Sequence, residues 1–61
     1  MKIETFPDSS GTPVYVNAEL VTYVRQYSAE LTVIYFDHNH SVSVRGVAGT
    51  IASTLASAEK L

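Results

Sequence analysis

The alternation of apolar and polar residues is clearest in the middle of the chain, over residues 31–45. Residues 31–36, LTVIYF, are β-branched or aromatic for the most part and are apolar on both faces of a strand. Residues 41–45, SVSVR, place valines on one face and polar side chains on the other. The polar segment DHNH joins them. The pattern predicts a β-hairpin whose first strand lies in the middle of a sheet, with both faces covered.

Two shorter strands are predicted before this hairpin. Residues 2–6 alternate up to Pro7, which cannot donate a hydrogen bond to a neighbouring strand. Residues 7–13, PDSSGTP, are rich in turn-forming residues. Residues 13–17 alternate again, with both valines on one face. We expect the two strands to form an antiparallel pair joined by the loop.

Residues 17–30 support two interpretations. As a helix, the segment would begin with Asn17 as its N-cap and carry an apolar stripe at every third or fourth position. As a strand, residues 20–27 would alternate, and their β-branched and aromatic side chains favour this interpretation. We therefore predict a strand over residues 20–27 after a brief turn at residues 17–19, with the helix as the alternative.

The apolar period changes after Gly46, which ends the last strand. In residues 47–60 the larger apolar side chains recur every four positions, at Val47, Ile51 and Leu55, and Ala58 continues the line. This spacing predicts a C-terminal helix with one apolar face.

Together these elements predict an α+β fold: an antiparallel four- to five-stranded β-meander with one C-terminal helix packed on one face. The length of the chain suits a single domain, residues 1–61. One short helix covers only one face of such a sheet, so the other face has no cover within the chain. We expect a second copy to cover it, most simply in a two-fold dimer.

The tyrosines fall on alternate positions of the predicted strands, so within each strand they point to one face. The chain has four tyrosines and no tryptophan, and all four occupy odd-numbered positions. If the odd-numbered faces of neighbouring strands align, these rings gather on one side of the sheet. Tyrosine is enriched at protein interfaces because it combines apolar area with a polar tip. The predicted interface residues are Tyr15, Tyr23, Tyr27, Leu31, Val33 and Tyr35. The alternative is that the rings only cover the sheet edges.

Charge and composition argue against several classes of function. The formal charge is −2 and the four basic residues are scattered, which does not suit a protein that binds nucleic acid or an anionic membrane. The chain has no cysteine, which excludes disulfides and thiolate metal clusters. The sequence has no apolar run long enough for membrane insertion, and MKIETFPD lacks the apolar core of a secretory signal. The expectation is a cytoplasmic protein.

One cluster of reactive side chain types occurs, in Asp37, His38, Asn39 and His40. A metal site needs three or four converging ligands, and a catalytic base needs an oriented partner. Four consecutive polar residues fit a solvated hairpin turn better, because Asn tolerates the left-handed backbone that such turns use. We predict a non-enzymatic protein with no catalytic, cofactor-binding or metal-binding residue. The alternative is a small-molecule or metal-binding protein that uses His38 and His40.

The order of elements over residues 13–55 resembles the small flagellar and swarming-motility proteins of the FlbD and SwrD type. The positions that match this outline are Asn17, Leu20, Val21, Thr32, Ile34, Val42 and Val44. The chain departs from the outline at the hairpin turn, where the family has Asn-Gly, and at the start of the helix, where the family has an acidic cap. The resemblance implies a motility-associated accessory protein that acts by contact with an unknown protein partner, and it transfers no catalytic residue.

Overall fold

The fold is described by a computed structural model that covers residues 2–37 and 39–59. Its elements are β1 (Ile3–Pro7), β2 (Pro13–Asn17), a 3-10 turn (Ala18–Leu20), β3 (Tyr23–Gln26), β4 (Leu31–Asp37), β5 (His40–Arg45) and α1 (Ala48–Glu59). The predicted α+β composition is confirmed. The predicted single meander is wrong, because the strands form two antiparallel sheets, one of β1 and β2 and one of β3, β4 and β5 in that order.

The first sheet is the hairpin predicted from the alternation before residue 17. Its loop is held by the carboxylate of Asp8, whose Oδ1 accepts hydrogen bonds from the Ser10 amide at 2.9 Å, the Ser10 hydroxyl at 2.8 Å and the Thr12 amide at 3.0 Å. Gly11 in the same loop has a φ of +91°, which a glycine adopts at no steric cost. The turn-forming composition of this loop therefore has a direct structural explanation.

A 3-10 turn, rather than a β-hairpin, connects the two sheets. The side chain of Asn17 caps this turn by accepting a hydrogen bond from the Glu19 amide at 3.0 Å. Ala18 is fully buried, and its amide donates to the Lys2 carbonyl at 2.7 Å. After this turn the chain enters β3, which pairs with β4 in the three-stranded sheet and not with β2. The strand interpretation of residues 20–27 is confirmed over Tyr23–Gln26, and the helix alternative is wrong.

Two elements cover the inner face of the three-stranded sheet, which is the face turned toward the core. Helix α1 packs against β3 and β4, and β1 lies against β5. The buried hydrophobic residues are Phe6, Val16, Ala18, Ile34, Val44, Ile51 and Leu55. Thr32 is buried with them, and its hydroxyl donates to the Gly46 carbonyl at 2.9 Å. Within residues 2–37 and 39–59, every buried side-chain nitrogen or oxygen has a hydrogen-bond partner.

Helix α1 begins one residue later than the apolar period predicts. Ile51 and Leu55 are buried as expected, but Val47 precedes the helix and remains 56% exposed. Val47 is therefore not part of the packed face. The side chain of Ala58 and the predicted last residue, Lys60, lie outside the described part of the structure.

The start of α1 is tied to the three-stranded sheet by a side chain from β3. The amide oxygen Oε1 of Gln26 accepts a hydrogen bond from the Ala48 amide at 2.8 Å, and its Nε2 donates to the Leu31 carbonyl at 3.0 Å. Between β5 and α1, Gly46 has a φ of +138°, and its amide donates to the Glu30 carbonyl at 2.7 Å. These contacts fix the position of the helix over the inner face.

Candidate interaction surface and groove

The three-stranded sheet has an outer face, which points away from α1. Side chains alternate along a strand, so the residues paired in register with an outward residue also point outward. The outer-face residues are Tyr23, Arg25, Leu31, Val33, Tyr35, Ser41, Ser43 and Arg45. The half of this face on β3 and β4 is mainly aromatic and aliphatic, whereas the half on β5 is polar.

A pair of stacked tyrosines lies on the outer face. Tyr23 and Tyr35 are directly opposite in the register of β3 and β4. Their ring centroids are 4.4 Å apart and the ring planes differ by 10°. Tyr23 is 49% exposed and Tyr35 is half-buried, so the stack is open to solvent on one side. The outer face therefore carries a contiguous aromatic patch that is not part of the core.

The structure brings most of the predicted interface residues together, with one exception. Leu31 and Val33 lie on the outer face beside the stack and are half-buried. Tyr27 follows β3 in the same phase and is 73% exposed. Tyr15 is 70% exposed but lies in β2, which belongs to the other sheet. The 3-10 turn separates the two sheets, so Tyr15 does not join the tyrosines of the outer face.

The hairpin tip places Asp37 opposite His40, as predicted for the residues that flank the turn. The carboxylate of Asp37 accepts a hydrogen bond from the Asn39 amide at 2.8 Å, and His38 lies outside the described residues. Among residues 2–37 and 39–59, which include the described part of the tip, no three His, Asp or Glu side chains converge as a metal site requires. The described residues of the tip thus form a self-bonded turn.

A β-bulge lies in β4 next to the hairpin tip. Tyr35 pairs with Ser41, and the next pair is Asp37 with His40. Strand β4 therefore has one residue more than β5 between these two pairs, and the extra residue is Phe36. His40 has the phase of Val42 and Val44 and therefore faces the inner side of the sheet. Its ring centroid lies 5.1 Å from that of Phe36, with the planes tilted by 49°.

A groove lies between β2 and this bulged tip. It has a volume of about 320 Å³ and is lined by Val14, Tyr15, Val16, Leu20, Phe36, His40 and Val42. These residues come from both sheets and from the 3-10 turn between them. Sequence patterns did not reveal the groove, because periodicity identifies the inward face of each strand but not the gap between two sheets.

Comparison with protein-family models, with curated proteins and with solved structures finds no match to this chain. Among the described residues, no helix has the length and apolar content needed to cross a bilayer.

Proposed function

We propose that this protein is a small, non-enzymatic protein–protein interaction module that forms a homodimer through its outer face. The observation that best supports the proposal is the solvent-exposed stack of Tyr23 on Tyr35, 4.4 Å apart and flanked by Leu31 and Val33. The cytoplasmic location and the motility-associated accessory role expected from the sequence belong to the same proposal.

The chemistry of the outer face suits a two-fold contact between identical surfaces. In a two-fold contact, residue i of one copy contacts residue j of the other copy, and residue j of the first copy contacts residue i of the second. Arg25 is two positions after Tyr23 in β3, and its side chain lies on the same face. A guanidinium group binds favourably over a tyrosine ring, so each arginine can stack on an aromatic ring of the other copy. Tyrosine and arginine are also the residue types that dominate interface energetics.

The size of the face predicts a weak dimer. A standard interface buries about 800 Å² per partner, which is roughly a fifth of the 4034 Å² exposed by this chain. Three strands spaced by about 4.8 Å, each with about five residues at ~3.3 Å, project an area of only roughly 240 Å². Side chains at the rim must therefore contribute to the contact, and a face this small suits a weak, concentration-dependent association.

The proposal is tested by sedimentation velocity from low micromolar to submillimolar concentration. Val33→Lys places a charge in the centre of the outer face, and Tyr23→Asp disrupts the stack, so both variants should remain monomeric. Tyr15→Asp is the matched control, because it makes the same change at an exposed tyrosine of the other sheet and should leave dimerisation unchanged. A wild-type chain that stays monomeric at submillimolar concentration contradicts the proposed dimer.

Loss of folding has to be separated from loss of binding. Cross-strand tyrosines also stabilise strand pairing by about 0.2–1 kcal/mol, so Tyr23→Asp weakens β3 as well as the interface. Urea unfolding of each variant measures this contribution. Val33→Lys leaves both tyrosines in place, and a folded monomer for this variant assigns the loss to the interface.

A further inference from the structure

Strand β3 forms one edge of the three-stranded sheet, and among the described strands it pairs with β4 alone. In an antiparallel pair, residues that exchange two backbone hydrogen bonds alternate with residues that exchange none. The Tyr27 amide donates to the Leu31 carbonyl at 2.9 Å and continues the register of β3 and β4, so every second residue before it also bonds to β4. The backbone N–H and C=O groups of Val24 and Gln26, which lie between these positions, therefore point to the open edge.

The second strand pair of the sheet agrees with this orientation. The Gly46 amide donates to the Glu30 carbonyl at 2.7 Å and continues the register of β4 and β5. The even-numbered residues of β4 therefore bond to β5, which leaves the odd-numbered ones for β3. Within the described chain, no backbone group outside the sheet bonds to Val24 or Gln26. At the opposite edge of the sheet, β5 has β1 beside it, so β3 carries the more open edge.

A small pocket accompanies the β3 edge on the inner side of the sheet. Its volume is about 190 Å³, and it is lined by residues of the 3-10 turn's end, of β3 and of α1: Val21, Tyr23, Val24, Ala52, Leu55 and Ala56. Ala52 and Ala56 are exposed and have only a methyl group each, which leaves the space open between α1 and the edge. This volume is below the roughly 300 Å³ at which small-molecule sites begin, and it suits one apolar side chain.

The outer side of the same edge is positively charged. Arg25 is exposed on the outer face, and its cross-strand neighbour in β4 is Val33. The outer face carries Arg25 and Arg45 but no aspartate or glutamate. A second copy paired at this edge would bring another Arg25 and no acid, because the sequence of β3 is YVRQ. An acidic side chain from a different protein would supply the missing charge.

We infer that the β3 edge binds an extended segment of a partner protein, which adds to the sheet as a further strand and carries an acidic residue next to an apolar one. In such complexes main-chain hydrogen bonds give affinity, and pockets for alternate side chains give specificity. The inference rests on the proposed role as an interaction module but not on the outer-face dimer.

The alternation of a strand fixes the sequence of the bound segment. In an antiparallel alignment, the apolar residue lies opposite Val24, exchanges both backbone hydrogen bonds with it and directs its side chain to the inner side, where the pocket lies. The residue before it lies opposite Arg25 and is acidic. The residue after it lies opposite Tyr23, where an aromatic side chain packs favourably.

The inference is tested by NMR titration of the full chain with the peptide SVELYVS, whose leucine is meant to lie opposite Val24. We expect the largest shifts at the amides of Val24 and Gln26 and at the methyl groups of Ala52 and Ala56, with no shift at Ser43 on the β5 edge. The peptide SVKLYVS should bind about fivefold more weakly, because its lysine faces Arg25. Equal affinity of the two peptides, or equal shifts at both edges, would overturn the inference.

Methylation of peptide nitrogens separates strand addition from a contact made by side chains alone. A methyl group on the leucine nitrogen of SVELYVS removes the N–H that donates to the Val24 carbonyl, and should weaken binding by about tenfold or more. A methyl group on the tyrosine nitrogen, which points away from β3, should leave the affinity nearly unchanged. Equal losses from both methyl groups would contradict strand addition.

Two variants of the protein assign the contacts to their residues. Arg25→Glu should prefer SVKLYVS to SVELYVS, a reversal that loss of folding does not produce. Ala52→Leu fills the pocket and should weaken SVELYVS by about tenfold. Ser53→Leu is the matched control, because it adds the same side chain at the next exposed position of α1, outside the pocket lining, and should bind like the wild type. An unchanged preference in Arg25→Glu, or equal affinities of the two leucine variants, would contradict the inference.

The same experiments distinguish the partner segment from a second copy. Shifts at Val24 that grow with protein concentration in the absence of peptide would show that a second copy occupies the edge, and would overturn the assignment to a partner. Sedimentation velocity reports on the outer-face dimer separately. A chain that stays monomeric and still binds SVELYVS contradicts that dimer and supports the edge site.

Discussion

The two faces of β4 are both apolar in sequence but have different surroundings in the fold. Toward the core, Thr32 and Ile34 have no exposed surface. On the opposite face, Leu31, Val33 and Tyr35 are only half-buried. The composition of a strand therefore does not decide which of its faces becomes core. That decision depends on where the remaining elements pack.

The covering elements explain the difference. Helix α1 and strand β1 both lie on the inner face, and together they bury Ile34 and Val44. The predicted helix alone was expected to cover one face of a larger sheet. Instead, the β1–β2 hairpin separates from the three-stranded sheet and shares the same side with the helix. The outer face is then left with an aromatic stack whose exposed side is available to a partner.

The largest expected effect comes from the same substitution made on the two faces. Val44→Ala removes a fully buried side chain, and we expect it to lower the free energy of unfolding by about 2–3 kcal/mol. Val33→Ala lies on the outer face, where the lost burial is smaller, and should cost less than about 1 kcal/mol. Urea unfolding at a concentration where the chain is monomeric measures both. Equal losses would show that the two faces are buried alike.

The next effect concerns the junction that positions α1 over the inner face. Gly46 has a φ of +138°, and an added Cβ would lie 3.2 Å from Cδ1 of Ile51. We expect Gly46→Ala to destabilise the fold by about 2 kcal/mol, because a side chain is strained at this backbone angle. Gly49→Ala is the control: an added Cβ there meets no atom within 4 Å, and alanine is favoured over glycine in a helix by about 1 kcal/mol. Thermal unfolding should therefore show a lower melting temperature for Gly46→Ala and a higher melting temperature for Gly49→Ala than for the wild type.

A smaller effect is expected at the link between β3 and α1. Gln26→Ala removes the acceptor of the Ala48 amide and the donor to the Leu31 carbonyl, and should cost about 1 kcal/mol. Gln26→Glu keeps an acceptor at the start of the helix and places a negative charge there, so it should cost less. Chemical denaturation of the two variants measures the difference. A larger loss of stability for Gln26→Glu than for Gln26→Ala would show that the hydrogen bond donated by Nε2 matters more than the one accepted by Oε1.

The smallest effect is expected in the β1–β2 loop, which lies on neither face of β4. The hydrogen bond from the Ser10 hydroxyl, helped by backbone amides in the loop, lowers the pKa of Asp8 below its ordinary value. A carboxyl whose pKa is lower in the folded state stabilises the fold above its unfolded pKa, about 3.9, and loses this contribution as the pH falls through the folded pKa. The stability difference between wild type and Asp8→Asn should therefore shrink below about pH 4, as measured by urea unfolding across pH.

Several elements could be predicted from local patterns. The alternation in residues 31–45 gave the hairpin of β4 and β5, and the turn-forming residues 7–13 gave the loop of the first hairpin. The strand in residues 20–27 was predicted with the correct type but too long, because alternation continues into Leu20, where the 3-10 turn ends. The two-residue and four-residue apolar periods therefore predicted the strands and the helix but not all of their first and last residues.

The candidate sites were only partly accessible to sequence reasoning. Alternation places Tyr23, Val33 and Tyr35 on one face, and the register of the sheet agrees. The position of Tyr15 could not be predicted, because its strand belongs to a separate sheet. The extra residue at Phe36 in β4 could not be predicted either, because a β-bulge is a backbone irregularity that has no signature in the apolar pattern.

By itself, the sequence determined which residues of each strand and of the helix share a face, because side-chain direction follows from the local backbone period. Tertiary structure alone decided that the strands divide into two sheets, that the hairpin and the helix cover the same face of β4, and that a groove stays open beside His40. The physical reason is that pairing and packing join residues far apart in the chain, and apolar burial is nondirectional, so a local pattern does not specify its partner.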